Sequence, residues 1–186
     1  MASRTARQRR TRPPLDKGRL DELALAYVGR FATSRAKLRS YLQRKVRERG
    51  WNGDQPADPG AVAERLAGLG YVDDRAFAAM KGRALTARGY GAGRVGAALR
   101  AAGIAEDDGA EARKAAEAAA DASALHFAKR RRIGPYAAVA ASDRAARDKA
   151  VAAMLRAGHR IDIARRIIAM RPGEGPDTSD GEVDDQ

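Results

Sequence analysis

GYVDDRAFAAMKGRALTARGYGAGRVGAALRAAGI, residues Gly70 to Ile104, carries the signals of two successive helices and the turn between them. Asp73 and Asp74 stand just before an apolar-periodic run. A carboxylate there can accept the first N–H groups of a helix and meet the positive end of its dipole. Phe77, Met80, Ala84 and Leu85 follow at helical steps and predict the buried side of that helix. Gly89-Tyr90-Gly91-Ala92-Gly93 interrupts it. Val95, Ala98, Leu99 and Ala102 then predict a second helix, closed by Gly103.

The flanking segments read as looser copies of this unit. Towards the N-terminus, Leu20, Leu23, Tyr27, Val28 and Phe31 share one helix face. Thr33 or Ser34 can cap the next helix, which carries Leu38, Tyr41, Leu42 and Val46 and stops at Gly50. Asp58-Pro59 sets a capping carboxylate before a proline at the first helical position, with Val62, Leu66 and Leu69 behind it and Gly70 as the stop. Towards the C-terminus, alanine-rich residues 110–120 predict a weak helix that can run on into one from Asp121 to Arg132. Leu125, Phe127 and Ala128 are its candidates for burial. Gly134-Pro135 breaks the chain. Asp143 caps a helix with Val151, Met154 and Leu155 that ends at Gly158, and Ile163, Ile167 and Ile168 mark the last one before Pro172.

Gly50, Gly103 and Gly158 stand 53 and 55 residues apart, each four residues after an apolar side chain (Val46, Leu99, Met154). The spacing predicts an all-α chain of three tandem three-helix repeats, stacked as an elongated, curved helical array. Its expected divisions are a disordered basic arm (1–14), repeats over 15–70, 71–120 and 121–171, and a disordered acidic tail (172–186).

Composition agrees with helices: alanine, leucine, arginine, glutamate and lysine dominate, and only 5% of residues are aromatic. The net charge is +12. The arm holds Arg4, Arg7, Arg9, Arg10 and Arg12, and the tail holds Glu174, Asp177, Asp180, Glu182, Asp184 and Asp185. The acids outnumber the bases in these ends, so the body between them is more basic than the whole chain. That balance suits a polyanionic partner; the plainer reading is a set of solvated helix faces. With no cysteine, disulfides, thiolate metal sites and cysteine nucleophiles are excluded. No apolar run reaches the roughly 18 residues of a membrane span, and no apolar segment follows the basic start as in a secretory signal. A soluble cytoplasmic protein is the expectation.

Gly91-Ala92-Gly93-Arg94-Val95-Gly96 matches the dinucleotide-binding pattern, but that pattern needs a preceding strand, and residues 77–88 have helical spacing. A turn between helices, closely packed at Gly96, is the expectation instead. His126 and His159 lack carboxylates at ligand spacing, and no nucleophile elbow, phosphate loop or zinc motif occurs. No catalytic residue, metal ligand or cofactor site is expected, and the protein is read as a non-enzyme. The candidate contacts are basic: Arg35, Arg39, Arg44 and Lys45 on the second helix, Arg83, Arg88 and Arg94 in the centre, and Lys129 and Arg130 beyond. Faces of this kind, aligned on a stacked array, can track phosphates. Asp73, Asp74, Phe77, Gly89, Gly91 and Gly103 are assigned to the scaffold.

Leu69-Gly70-Tyr71-Val72-Asp73-Asp74, then Phe77-Ala78, Arg83, Gly89-Tyr90-Gly91, Leu99 and Gly103-Ile104 together resemble the RecX family of bacterial regulatory proteins, over about residues 18–170. The resemblance implies three tandem three-helix repeats. It also implies a protein that binds RecA and the groove of the RecA–DNA filament and limits filament extension, ATPase, strand exchange and coprotease activity; a monomer is the separate expectation. Roles in DNA repair, homologous recombination and the SOS response come with it. DNA, single-stranded and also double-stranded, would be a second partner, with no strand preference implied. The sequence departs from the family at Gly158-His159, where a bulky apolar or aromatic residue is expected after the glycine, so contacts of the third repeat are the least directly inherited. The alternative is a general DNA- or RNA-binding helical protein with no dedicated protein partner.

Overall fold

The computed structural model describes residues 13–139 and 143–176. Residues 1–12 of the basic arm, residues 140–142 of the linker and residues 177–186 of the acidic tail lie outside the described residues. Among those described, the regular structure is helical: α1 (Lys17–Val28), α2 (Arg35–Arg49), α3 (Pro59–Gly68), α4 (Asp74–Ala87), α5 (Ala92–Ala101), α6 (Glu106–Ala118), α7 (Ala120–Arg131), a 3₁₀ turn (Gly134–Tyr136), α8 (Arg144–Arg156) and α9 (Ile161–Ala169). The chain falls into two compact units, up to Phe77 and from Ala78 onward, and α4 runs across the boundary.

In the first unit, short polar side chains start each helix. Asp16, Ser34 and Asp58 accept the N–H groups of Arg19, Lys37 and Ala61, each satisfying a donor that the helix itself cannot. The apolar stripes so aligned bury Leu20 and Ala24 of α1, Leu38 and Leu42 of α2, and Val62, Ala63 and Leu66 of α3 in one core with Leu15 and Val72. Each fully buried leucine contributes about 1.5–3 kcal/mol. Gly50 closes α2, and the strand-like pairing of Leu15 with Trp51 clamps the incoming chain across that end (Leu15 N–H to the Gly50 carbonyl, 3.0 Å).

In the second unit, α7, α8 and α9 bury Ala124, Phe127, Ala128, Met154, Ala157, Ala164, Ile167 and Ile168 together. Half of these are alanines, so the helices approach closely and the core is thin. Val95, Leu99 and Ala102 of the α5 segment are buried, as are Ala112 and Ala116 of α6. On α4, Gly82 faces Ala112 and Val95, where an added Cβ would meet side-chain carbons at 3.5 and 3.6 Å.

Three local expectations are corrected. Met80 and Ala84 are exposed, while Ala78 and Gly82 are buried, because the inward face of α4 meets helices too close for methionine. Phe31 lies past the end of α1 and is 56% exposed. The alanine-rich helix begins earlier, at Glu106 with Asp107 and Asp108 in its first turn, and a break at Ala119 separates it from α7.

Candidate functional site

The α4–α5 turn is where sequence-distant elements of the second unit meet. Gly89, with φ of 76°, ends α4, and the Tyr90 N–H returns to the Leu85 carbonyl at 3.1 Å. The next donors go to another helix end: the Gly91 and Gly93 N–H groups bond the carbonyls of Ala157 and Gly158, each at 3.0 Å. The C-terminus of α8 thus meets the N-terminus of α5 end to end, which pairs orphan acceptors with orphan donors and aligns opposite dipole charges. A Cβ at Gly91 would overlap the Gly158 carbonyl, and one at Gly93 would lie 3.0 Å from it. These are the glycines the contact requires. Gly96, expected to be the closely packed one, would meet only the tip of Arg100 at 3.4 Å. A helix precedes the glycine-rich turn, and two of its N–H groups already serve α8, which removes the basis for a phosphate cradle there.

His159 completes the junction. Its Nε2–H donates to the Gly89 carbonyl at 3.1 Å, which fixes the tautomer, and its ring lies 5.4 Å from that of Phe127. Nδ1 is buried without a hydrogen-bond partner among the described residues, and burial pushes the imidazole pKa below its ordinary value against the raising effect of the Gly89 bond.

Held this way, Tyr90 receives two guanidinium groups. Arg94, one turn into α5, and Arg130 of α7 each place Cζ 5.8 Å from its ring centre. Arg130 and Arg131 stand at the same distance from Phe127. Contacts of this kind contribute about 0.5–1 kcal/mol each and leave the N–H forks free for oxygen acceptors. None of these three arginines is ion-paired with a carboxylate of the described residues. Lys129 and Arg130 also line a cavity of ≈ 550 Å³ with His126, Tyr136 and Pro176.

The remaining candidates fall elsewhere. Arg44 and Lys45 lie over Tyr41, at 5.6 and 5.9 Å, and both reach Glu48. Arg35 is held by Asp74 at 3.0 Å and by Glu64 at 3.4 Å. Arg39, Arg83 and Arg88 are exposed and have no ring or carboxylate contact among the described residues. Asp73 caps α4 through the Ala76 N–H at 2.9 Å, Phe77 is buried under Lys37, and Gly103 closes α5 with φ of 68°. Tyr90, Phe127, Arg131 and His159 belong to the cluster but were not among the site candidates. Only the setting of Tyr90 between two glycines hinted at it, since the residues that meet there are separated by up to 70 positions.

No group of histidine and carboxylate side chains among the described residues could hold a metal ion, and no described helix is long and apolar enough to cross a membrane. No protein-family model matches the chain. A regulatory protein RecX of Myxococcus xanthus (strain DK1622) is 29% identical over 162 residues, covering 82% of this chain and 86% of that one. The crystal structure of RecX from Lactobacillus salivarius has the same fold, with a TM-score of 0.58 and 18% identity over 81% of this chain and 93% of the other. The chain is similar to RecX regulatory proteins in sequence and shares their fold. The Gly89-Tyr90-Gly91 segment that carried part of the resemblance is, in this chain, the piece on which α4, α5, α7 and α8 converge.

Proposed function

We propose that this protein is a RecX family regulator of RecA that binds RecA and the RecA–DNA filament, and that it inhibits filament extension and with it ATPase, strand exchange and coprotease activity. The observation that carries the reading is the set of three guanidinium groups, Arg94, Arg130 and Arg131, gathered on Tyr90 and Phe127 with no carboxylate among the described residues to neutralise them. Such a cluster suits phosphate oxygens or acidic side chains, because arginine offers a planar fork of donors and ring contacts limit its motion. Arg83 and Arg88 are further exposed bases of the same unit, and Arg39 is an exposed base of the first unit. A cytoplasmic site of action, a monomeric state and a three-repeat division over 15–70, 71–120 and 121–171 belong to the same proposal.

The test is the single-stranded-DNA-dependent ATPase rate of the cognate RecA, titrated with this protein while DNA is kept in excess. Loss of ATPase well below one molecule per RecA supports action on the filament. Inhibition that begins only when the DNA is coated supports the second reading, a general nucleic-acid binder, which the same arginine cluster would also serve through counterion release.

A further inference from the structure

The first unit carries an aromatic arrangement that the arginine cluster does not explain. Tyr41 of α2 and Tyr27 of α1 stack at 4.2 Å with ring planes 20° apart, and Phe31 continues the column at 5.3 Å from Tyr27, tilted by 48°. At the Tyr41 end stand Arg44 and Lys45. At the other end, Phe31 is 56% exposed.

The two ends differ in what fixes them. Tyr27 and Tyr41 are half-buried and pack against the core, so their stacking is explained by the meeting of α1 and α2. Phe31 lies outside both helices. Its N–H bonds the Tyr27 carbonyl at 3.0 Å, Gly29 and Arg30 return to α1 as well, and Ser34 then caps α2. A phenyl ring is therefore held on a short hydrogen-bonded turn between two capped helices, with more than half of its surface in water. Exposure of that size makes it a minor contributor to the core.

We propose that Phe31 is a stacking platform for an unpaired nucleobase of a single-stranded nucleic acid, braced by its tilted contact with Tyr27. An exposed ring offers a base the kind of offset contact that Tyr27 and Tyr41 make with each other, while its own tilted contact with Tyr27 braces it. The surroundings favour a polyanion. Arg30 is next in sequence and exposed, and the outward face of α2 carries Lys37, Arg39, Arg44 and Arg47. Glu48 offsets part of this charge through Arg44 and Lys45. Duplex DNA does not fit the platform, because its base faces are already covered by neighbouring pairs. The proposal rests on the reading that the protein engages nucleic acid, and it adds that the ligand is single-stranded and is gripped by a base as well as by phosphates.

The test uses the full chain, a fluorescent oligothymidylate of about 20 nucleotides and a duplex of equal length, with binding followed by anisotropy across a salt series. Phe31→Ala should weaken oligothymidylate binding about tenfold, leave duplex binding within twofold and keep the slope of affinity against salt. Phe31→Trp should retain affinity, and its emission should be quenched when the oligonucleotide is added. Thermal melting of both variants should stay close to the parent, since the ring is exposed. If Phe31→Ala matches the parent on oligothymidylate while Arg94→Glu with Arg130→Glu weakens binding, stacking is refuted and the phosphate reading stands. Equal losses on single strand and duplex also overturn stacking, in favour of a structural role for the ring. If the parent protein binds neither nucleic acid, both readings fall together.

Discussion

The Asp74 carboxylate accepts the backbone N–H of Arg35 at 2.9 Å and the Nε–H of the same residue at 3.0 Å. An acid at the start of α4 thus satisfies a first-turn donor of α2, 39 residues earlier, and holds the side chain that follows the Ser34 cap. It is nearly buried, and the pairing raises the pKa of Arg35 above its ordinary value, chiefly through the hydrogen bond to Asp74. Asp73 beside it does the local task of capping α4.

The two neighbours should therefore differ on truncation. Asp74→Ala leaves a backbone donor and a guanidinium without their buried acceptor and should destabilise the protein by about 2–3 kcal/mol. Asp73→Ala removes one cap and should cost about 1 kcal/mol. Denaturant unfolding of the two variants checks the division, and equal losses would show that Asp74 has no tertiary role.

The glycines of the pseudo-dinucleotide motif should separate in the same way. Gly91→Ala forces the α5 and α8 ends apart and should cost about 1–3 kcal/mol. Gly158→Ala combines that overlap with a φ of 89° and should cost at least as much. Gly96→Ala, buried but with only the flexible tip of Arg100 nearby, should instead stabilise α5 by about 0.5–1 kcal/mol. Melting temperatures of the three variants give the ranking; a Gly91→Ala protein as stable as the parent would contradict the end-to-end contact.

The depressed pKa of His159 makes stability depend on pH with a definite sign. As pH falls through about 6.5, the unfolded chain takes up a proton that the folded chain resists, so stability is present at neutral pH and lost towards the lower folded-state value. The loss is limited to the linkage of one proton, about 1.4 kcal/mol per pH unit at most. His159→Gln should flatten the curve between about pH 5 and 7. A variant with the parent's slope would assign the dependence to other groups.

Charge reversal should separate contact from scaffold among the arginines. Arg94→Glu with Arg130→Glu should raise the concentration needed to inhibit the RecA ATPase about tenfold or more while the fold melts near the parent temperature, because both charges sit on the surface. Arg35→Glu should chiefly lower the melting temperature, since it sets a second acid against Asp74. Unchanged inhibition by the first pair would remove the Tyr90 cluster from the binding surface.

Much of the helical frame was legible because its signals are local. Ser34, Asp58 and Asp143 cap the helices their positions predicted, and Gly50, Gly103 and Gly158 follow the helices they were expected to end. Capping depends on hydrogen bonds within three residues, so a short window of sequence contains the whole interaction. Helix faces were less legible where large and small side chains compete. Met80 looked like core by size, yet Gly82 is the residue that lets α4 approach Val95 and Ala112.

An all-α chain, the main caps and stops, a basic body and the absence of thiol chemistry follow from residue type and from neighbours along the chain. The packing of distant segments is what makes Asp74 serve α2, lets Gly91 and Gly93 admit the end of α8, and brings Arg94 and Arg130 together on Tyr90. It also decided which phenylalanine stays in water. Each of these depends on where distant backbone segments arrive relative to one another, and that position is set by the packing of whole helices, a property no single stretch of residues carries.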